Sequence, residues 1–409
     1  RTDPAIITSS KPIITSFVIN STKANDKPVV SIKGTIENQA GVANNPDFNA
    51  KIDIFSDKMQ LVNTSLVQLS AIDSTHANFL YTWVPNQSQL GQIFTISATA
   101  SDGDKKSVIE GKIKLSVLIG KKILIDPGHG LYNLSGSWIH SREWCKRNDT
   151  AKSVNCSGSG PNPPAGYPET VINEGLNTPK VASELKALLE KEGANVSTTR
   201  NINLSSPNGR SGRPQWEEGA REYLNYVLDQ KIDVSGRSNY LKDVDIRYSY
   251  SNLVIKPDFF ISIHTNGVSG FNNPASGSVF VICDDVTITK SLQKSKDIRY
   301  IADKIMRPAV MRGLWNESVG GMHDKKLYEN CVNVLVRTEA PRALVEVAFH
   351  DNYNDHINLT QPEFLQRAAQ GIFNGIQDYF IKKGNVNLTI LTLRVNAYSP
   401  FKVKVSVTD

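Results

Sequence analysis

Three segments of the sequence place a side chain suited to metal binding or acid–base chemistry at or near the end of an apolar run. They are residues 126–130 with His129, residues 262–266 with His264, and residues 344–347 with Glu346. Short apolar runs of this kind predict buried strands. Ligand sites of open α/β sheets gather at the carboxyl ends of the strands. We therefore expect the three side chains to converge on one edge of a sheet.

Two local features would hold ligands firmly at that edge. Pro127 and Gly128 predict a turn straight after the first run, which would present His129 with little conformational freedom. Glu174 comes just before a predicted helix that has Pro179 in its first turn. Glu174 would then lie where the sheet edge meets a helix.

Two imidazoles and a carboxylate are a common protein ligand set for catalytic zinc, with a fourth position left for water. Zinc lowers the pKa of that water to about 7 and polarises a carbonyl oxygen, and amide hydrolysis needs both effects. The reaction also needs a carboxylate that serves the water as base and the departing amine as acid. The sequence thus predicts zinc ligands His129, Glu174 and His264, with Glu346 as the catalytic carboxylate.

The elements that must position these residues follow from residue 121 onward, where apolar runs alternate with helical periodicity. Strands are predicted at 123–125, 196–199, 259–263, 279–282, 334–336 and 344–347, and helices near 177–192, 239–255, 291–311 and 362–382. This order predicts an α/β domain with a mostly parallel sheet flanked by helices. Two polar insertions, 131–173 and 201–238, interrupt it, and the second has a possible short helix at 216–228. We expect both to lie near the site, as lids or as static surface loops.

The first part of the chain has a different pattern of short alternating runs separated by Asn, Asp, Gly and Pro. The runs are 29–34, 51–54, 79–83, 94–98 and 109–115, with a hairpin turn at 102–104. This pattern predicts an all-β sandwich of the immunoglobulin-like type. The predicted organisation is a sandwich at 1–118, a catalytic domain at 119–385, and a β extension or further β domain beginning at 386–409.

At these motifs the chain resembles the zinc-dependent N-acetylmuramoyl-L-alanine amidases. The matching segments are 122–130, 259–266 and 343–352, with lesser matches at Thr199-Arg200, Arg247 and 275–277, over about residues 120–383. The resemblance implies a peptidoglycan hydrolase that cleaves the amide between N-acetylmuramic acid and L-alanine. It implies zinc bound by His129, a glutamate and His264, with Glu346 catalytic.

The identity of the intervening glutamate and two departures from the family remain open at this point. Glu174 keeps the family-like distance to the following helix, while Glu169 lies five residues earlier and is the alternative. The insertion 131–173 is longer than the family pattern. The stretch from Asn266 to Ser278 is short, so an inhibitory helix that some relatives carry there is not expected.

Composition and charge limit the classes of molecule that the protein is expected to bind. The 409 residues include 46 Lys and Arg against 40 Asp and Glu, giving a net charge of +6 without basic blocks. This argues against a nucleic-acid partner and allows, without requiring, weak attraction to an anionic polymer such as cell wall. No apolar stretch is long enough to predict a membrane span. The N-terminal sandwich is a candidate for wall contact, for docking a protein partner, or for spacing.

The four cysteines suggest an oxidising compartment. Cys145 and Cys156 share one insertion, while Cys283 ends one predicted strand and Cys331 precedes another. An even count without CxxC spacing suits two disulfides, although four reduced thiols and other pairings stay open. Disulfides would indicate a secreted or extracytoplasmic protein, at the periplasm, cell surface or cell wall.

Less specific interpretations compete with this one. Four histidines, His76, His140, His323 and His356, are expected to be packing or surface residues, and His350 a supporting residue beside the site. Glu346 could instead be structural and paired with Arg337. The whole chain could be an inactive or autoinhibited wall-binding scaffold, or a different zinc hydrolase such as a deacetylase.

Overall fold

The computed structural model describes residues 11–383 apart from 25–26, 43–44, 46, 87–88, 135, 141–153, 157–173, 236–238 and 268–273. The chain divides into two compact units, Arg1–Gly120 with Ile381–Asp409, and Lys121–Phe380. The tail predicted as β structure, 386–409, lies outside the described residues. None of the helices in the described part of the chain has both the length and the apolar character of a bilayer-spanning segment.

The described residues of the N-terminal unit form eight strands in two antiparallel sheets. The strands are β1 Ile13–Ala24, β2 Lys27–Glu37, β3 Phe48–Ser56, β4 Leu61–Val67, β5 Leu69–Ala71, β6 His76–Trp83, β7 Ile93–Asp102 and β8 Lys105–Lys114. One sheet has the order β1-β2-β6-β5 and the other β4-β3-β7-β8. The prediction of antiparallel β sheets here is confirmed, while the immunoglobulin-like topology stays a prediction.

Alternation of burial explains why these residues form sheets. Along β3 the buried residues Ala50, Ile52 and Ile54 alternate with more exposed ones, as a strand with one covered face requires. Buried residues from both sheets, including Ile32 and Phe94, belong to one hydrophobic core. The predicted hairpin between β7 and β8 is present, so the short-range pattern was sufficient there.

The second unit is built on a six-stranded sheet with the order β13-β9-β14-β17-β15-β16. The strands of this region are β9 Lys122–Pro127, β10 Leu131–Leu134, β11 Ser137–His140, β12 Val154–Cys156, β13 Asn195–Thr198, β14 Phe259–Asn266, β15 Ser278–Ile282, β16 Asp324–Glu329 and β17 Arg342–Phe349. All neighbours in the six-stranded sheet are parallel except β15 and β17. The predicted mostly parallel sheet is confirmed. Strands β10, β11 and β12 form a separate small sheet within the first insertion.

Helices accompany this sheet. They are α1 Glu174–Lys191, α2 Asn239–Ser249, α3 Val286–Thr289, α4 Leu292–Tyr300, α5 Arg307–Val310, α6 Asn333–Arg337, α7 Tyr353–Thr360 and α8 Pro362–Lys383. Wider π-helical turns continue or stand between them at Glu222–Val227, Tyr250–Ile255, Ile301–Met306 and Met311–Trp315, with a 3-10 turn at Gln215–Glu217. The long helix predicted near 291–311 therefore continues to residue 315, and the helix predicted at 216–228 is split into two short pieces.

Two predictions of local structure were wrong. Residues 334–336, predicted as a strand, lie in the short helix α6, where all three are buried. A three-residue apolar run has no periodicity that separates a strand from one buried helical turn. Pro179 is the sixth residue of α1, not part of its first turn. Glu174 is the first residue of that helix and does not precede it.

Candidate metal centre and active-site cavity

His129 is presented by a turn that only particular residues can form. Strand β9 ends at Pro127, and the Gly128 N–H donates to Ile263 O at 2.8 Å. A side chain on Gly128 would come within 2.5 Å of the His264 ring, so glycine is needed at this position. His129 itself has φ of 54°, a left-handed conformation that is strained for a residue with a side chain. The turn therefore depends on surrounding contacts to keep its shape.

Two buried arginines supply those contacts through the carbonyl oxygens of the turn. Arg247 donates to Pro127 O at 2.7 Å and to His129 O at 2.6 Å, and also pairs with Asp126 at 2.7 Å. Arg200, with no exposed surface, donates to the Gly128 carbonyl oxygen at 2.6 Å. Every carbonyl from 127 to 129 is thus held by a guanidinium group.

Asp126 keeps this network neutral and fixed. Its carboxylate accepts from Thr199 Oγ1 at 2.6 Å and Ser262 Oγ at 2.7 Å as well as from Arg247. Complete burial would raise the pKa of Asp126, but the Arg247 charge and these hydrogen bonds outweigh burial and lower it. Asp126 is therefore ionised in the folded protein, and through Arg247 it supports the His129 turn.

Helix α1 brings Glu174 to the same edge. Pro179 has no N–H to donate to the carbonyl four residues earlier, that of Gly175. Arg200 Nη2 uses this carbonyl, at 2.9 Å. Thr178 Oγ1 also donates to the Gly128 carbonyl, at 3.0 Å. A proline inside the helix thus creates an acceptor that ties the helix start to the His129 turn.

The three predicted metal ligands come together. Glu174 Oε2 lies 3.2 Å from His129 Nε2, and Glu174 Oε1 lies 2.8 Å from His264 Nδ1. One donor atom from each residue lies within 4.8 Å of the others, and this His-Glu-His set is the kind that catalytic zinc takes. The residues present therefore fit a bound divalent metal. The alternative Glu169 lies outside the described residues.

The electrostatics of the cluster favour a charged carboxylate between two imidazoles. Burial would raise the pKa of Glu174, but the adjacent His129 and His264 hold it well below its usual value. Burial would lower the pKa of His264, but its hydrogen bond to Glu174 and the Glu174 and Glu346 charges raise it. Proximity of opposite charges thus overcomes desolvation, as a cation site requires.

Glu346 stands next to the cluster on the neighbouring strand. It is in register with His264 across β14 and β17 and with Val279 across β15. It is half-buried and lines the same cavity as the three ligands. The interpretation that pairs it with Arg337 was wrong, because Arg337 is exposed and its guanidinium lies over the Tyr248 ring.

The remaining histidines are placed as follows. His350 Nδ1 lies 3.0 Å from Thr265 Oγ1 and lines the cavity beside the ligands. His76 pairs with Asp73 in the N-terminal unit, His323 pairs with Glu317, and His356 is buried against His350 O. None of these three lines the cavity or belongs to the cluster. The side chain of His140 lies outside the described residues.

A cavity of about 780 Å³ extends from the metal ligands along the antiparallel side of the sheet. Its walls include Val279, Val281 and Leu344, and its far end reaches Cys331. Cys331 forms a disulfide with Cys283, which ties the end of β15 to the segment before α6. The predicted pairing of Cys145 with Cys156 stays a prediction, because Cys145 lies outside the described residues.

Two cavity residues were missed from the sequence. Asp243 pairs with Arg247 at 2.8 Å, and a signal existed because the two are four residues apart on a predicted helix. Lys325 lines the cavity from β16, a strand that was not predicted. No sequence signal marked Lys325, since its strand is short and mostly exposed.

The family of the protein follows from a match over most of this unit. The profile of the N-acetylmuramoyl-L-alanine amidases matches residues 123–378, which carry the three ligands and Glu346. The chain belongs to the N-acetylmuramoyl-L-alanine amidase family. The resemblance noted from the motifs is therefore confirmed.

The chain is also similar to individual proteins. The chain is 35% identical over 130 residues to an uncharacterized cell wall amidase of Bacillus anthracis, a match covering 32% of this chain and 22% of that protein. It thus spans less than a quarter of that relative. An amidase from Clostridium difficile 630 has a TM-score of 0.39 and 16% identity over 64% of this chain and 98% of its own. A Mycobacterium smegmatis amidase has a TM-score of 0.37 and 19% identity over 65% and 99%.

Proposed function

We propose that this amidase cleaves the bond between N-acetylmuramic acid and L-alanine in peptidoglycan, with zinc held by His129, Glu174 and His264. The observation that carries the proposal is the cluster of three donor atoms within 4.8 Å, with Glu346 in register beside it. The family match and the cell wall amidase relative support the substrate class. When bound, zinc would polarise the scissile carbonyl and make a water molecule more acidic.

Glu346 performs the proton transfers in this proposal. A carboxylate oxygen of Glu346 takes a proton from the attacking water and then delivers it to the nitrogen of the departing L-alanine. Glu346 suits this role because it adjoins His264 across the sheet without belonging to the ligand cluster. The buried arginines Arg200 and Arg247 hold the His129 turn, which keeps the reacting groups in place.

The setting of the enzyme is part of the proposal. Action on peptidoglycan and the Cys283–Cys331 disulfide support a secreted or extracytoplasmic location. We assign catalysis to residues 119–385, an immunoglobulin-like fold to 1–118, and a β extension to 386–409. The N-terminal unit would contact the wall or a protein partner, or space the enzyme from its attachment.

Digestion of purified peptidoglycan, followed by mass spectrometry of the products, tests the proposal. We expect wild-type protein with zinc to release intact stem peptides, and a chelator to abolish release. Glu346→Ala should keep zinc and lose about 1,000-fold or more in rate, whereas His129→Ala and His264→Ala should lose both. Glu184→Ala, on the exposed face of α1, is the matched control and should retain both.

Different products of the same digestion would support one of the alternative functions. Acetate in place of stem peptides would identify a deacetylase. Zinc binding and wall binding without any release would indicate a scaffold or an autoinhibited form. Full turnover by Glu346→Ala would remove Glu346 from the mechanism.

A further inference from the structure

Strand β16 begins with an irregularity in its pairing, and Lys325 lies at this irregularity. The pairing of β15 with β16 shifts register between Ser278 and Phe280, so an extra residue of β16 is accommodated there. Lys326, at this irregularity, has φ of 67°, a left-handed conformation that is costly for a side-chain-bearing residue. Bulges of this kind re-aim side chains next to active sites.

The irregular backbone is held by a buried carboxylate. Asp324 Oδ1 accepts the Lys326 N–H at 3.0 Å, and Asp324 Oδ2 accepts the Gly320 N–H at 2.6 Å. Arg307 Nε donates to Asp324 Oδ1 at 2.9 Å, and Arg307 Nη2 donates to Asp324 Oδ2 at 2.7 Å. These hydrogen bonds fix the irregular backbone, and Lys325 lies between Asp324 and Lys326.

Register places Lys325 in the same row as Glu346. Glu346 on β17 lies opposite Val279 on β15, and the β16 irregularity lies beside Val279. Two strand spacings separate the ends of this row, which corresponds to about 10 Å. Both Lys325 and Glu346 line the cavity, with Val279 between them. A substrate held at Glu346 can therefore extend along the same cavity toward Lys325.

Lys325 is an exposed residue whose side chain lines the cavity. The other cation in the cavity wall, Arg247, is neutralised by Asp126 and Asp243. Lys325 Nζ donates to the Met322 carbonyl at 3.1 Å, and no ion pair recorded among the described residues includes it. Within the described residues, the cavity thus offers one ammonium group without an ion-pair partner, on the strand row that also carries Glu346.

We propose that Lys325 determines specificity by binding a free carboxylate on the peptide side of the scissile amide. This inference rests on the proposed function and names the group that the cavity recognises. Stem peptides carry carboxylates beyond the residue that is released first, and an ammonium group in a partly enclosed cavity discriminates a carboxylate from its neutral amide. The apolar wall formed by Val279 and Val281 accommodates the aliphatic part of the same segment.

Two soluble muramoyl peptides that differ at one group test the inference. One carries a free carboxylate on the second peptide residue, and the other carries a carboxamide at the same place. Turnover is measured in the full chain, and binding is measured in the Glu346→Ala background. We expect Lys325→Gln to raise KM for the carboxylate peptide about tenfold with little change in kcat, and to leave the carboxamide peptide unaffected.

A neighbouring lysine provides a matched control. Lys326→Gln removes the same charge from the same strand, but Lys326 does not line the cavity, so both peptides should behave as with wild type. Lys325→Arg, which keeps the charge, should restore most of the preference. Equal losses on both peptides, or an unchanged preference in Lys325→Gln, would overturn the inference. Binding that depends on Lys325 without cleavage by wild type would instead refute the proposed function and leave the inference standing.

Discussion

The N-terminal sheets and the catalytic sheet differ in what they bury. In the described part of the N-terminal unit, Asp102 is the sole buried ionisable side chain, and the other buried polar side chains are uncharged: Asn38, Thr95, Ser97 and Ser101. The carboxyl edge of the catalytic sheet buries Asp126, Glu174, Arg200 and Arg247, each at most 3% exposed. Burial of charge costs several kcal/mol per ion unless partners compensate for it.

The contrast shows in which part of the protein charged side chains are buried despite this cost in free energy. In the described N-terminal sheets, alternating apolar residues form the core and a single carboxylate, Asp102, is buried. The catalytic edge must hold two histidines and a glutamate in one geometry, and it does so through charged hydrogen bonds to backbone carbonyls. Buried charge in this protein is therefore a mark of positioning, and the following predictions test that claim.

Loss of Arg247 should have the largest effect on stability and also weaken metal binding. Arg247→Met leaves Asp126 buried without its cation and frees the carbonyls of Pro127 and His129. We expect the free energy of unfolding to fall by about 3–5 kcal/mol. Zinc affinity, measured by chelator competition on folded protein, should fall about 10- to 100-fold. Unchanged affinity would show that the His129 turn holds its shape without this guanidinium.

Truncation of the N-terminal core should cost comparable stability but leave the metal site intact. Phe94 is fully buried and packs edge-on against Trp83 at 4.9 Å between ring centroids. Phe94→Ala should destabilise its unit by about 3–5 kcal/mol through lost burial and a cavity. Leu66→Ala is the control, because Leu66 lies in β4 of the same sheet and is 72% exposed, and it should change stability by less than about 0.5 kcal/mol. A change in zinc affinity with Phe94→Ala would contradict the claim that the N-terminal core does not position the metal ligands.

Much of the catalytic sheet was predictable because its central strands are buried on both faces. Such strands are continuous apolar runs, and the ionisable residue that interrupts or follows each run is conspicuous, as at His264 and Glu346. Parallel order then brings the strand ends together. These two facts were sufficient to propose His129, His264 and Glu346, whereas Glu174 was proposed from the start of a predicted helix and from the family resemblance.

The antiparallel side of the site could not be predicted in the same way. Strand β16 is mostly exposed and starts with an irregular register, so it lacks both alternation and an apolar run. The helix α6 has an apolar run of three, which is too short to separate a helical turn from a strand. Lys325 was missed because the irregular backbone beside it brings it to the cavity, and the residue type alone does not indicate this.

Removal of the one buried N-terminal carboxylate should have a smaller effect. Asp102 accepts from Asn38 Nδ2 at 3.1 Å and from Asn45 Nδ2 at 3.2 Å. Asp102→Ala leaves the buried Asn38 amide short of an acceptor, and we expect a cost of about 1–3 kcal/mol in denaturant unfolding. Peptidoglycan digestion and zinc affinity should be unchanged. A loss of zinc affinity would mean that buried charge in the N-terminal unit also positions the site.

The smallest expected effect is a pH dependence that arises from His356. This residue is buried against His350 O, and burial lowers its pKa below the ordinary value of 6.5. A lowered pKa means that the unfolded chain binds the proton more readily, so the stability contributed by neutral His356 is present above about pH 6.5 and is lost as pH falls. The difference in unfolding free energy between wild type and His356→Asn should therefore shrink between pH 7.5 and pH 5. Comparison of the two proteins at each pH cancels the titration of the metal-ligand histidines, which both share. A difference that grows as pH falls would mean that His356 is held in its charged form, and that this region stabilises buried charge as the metal site does.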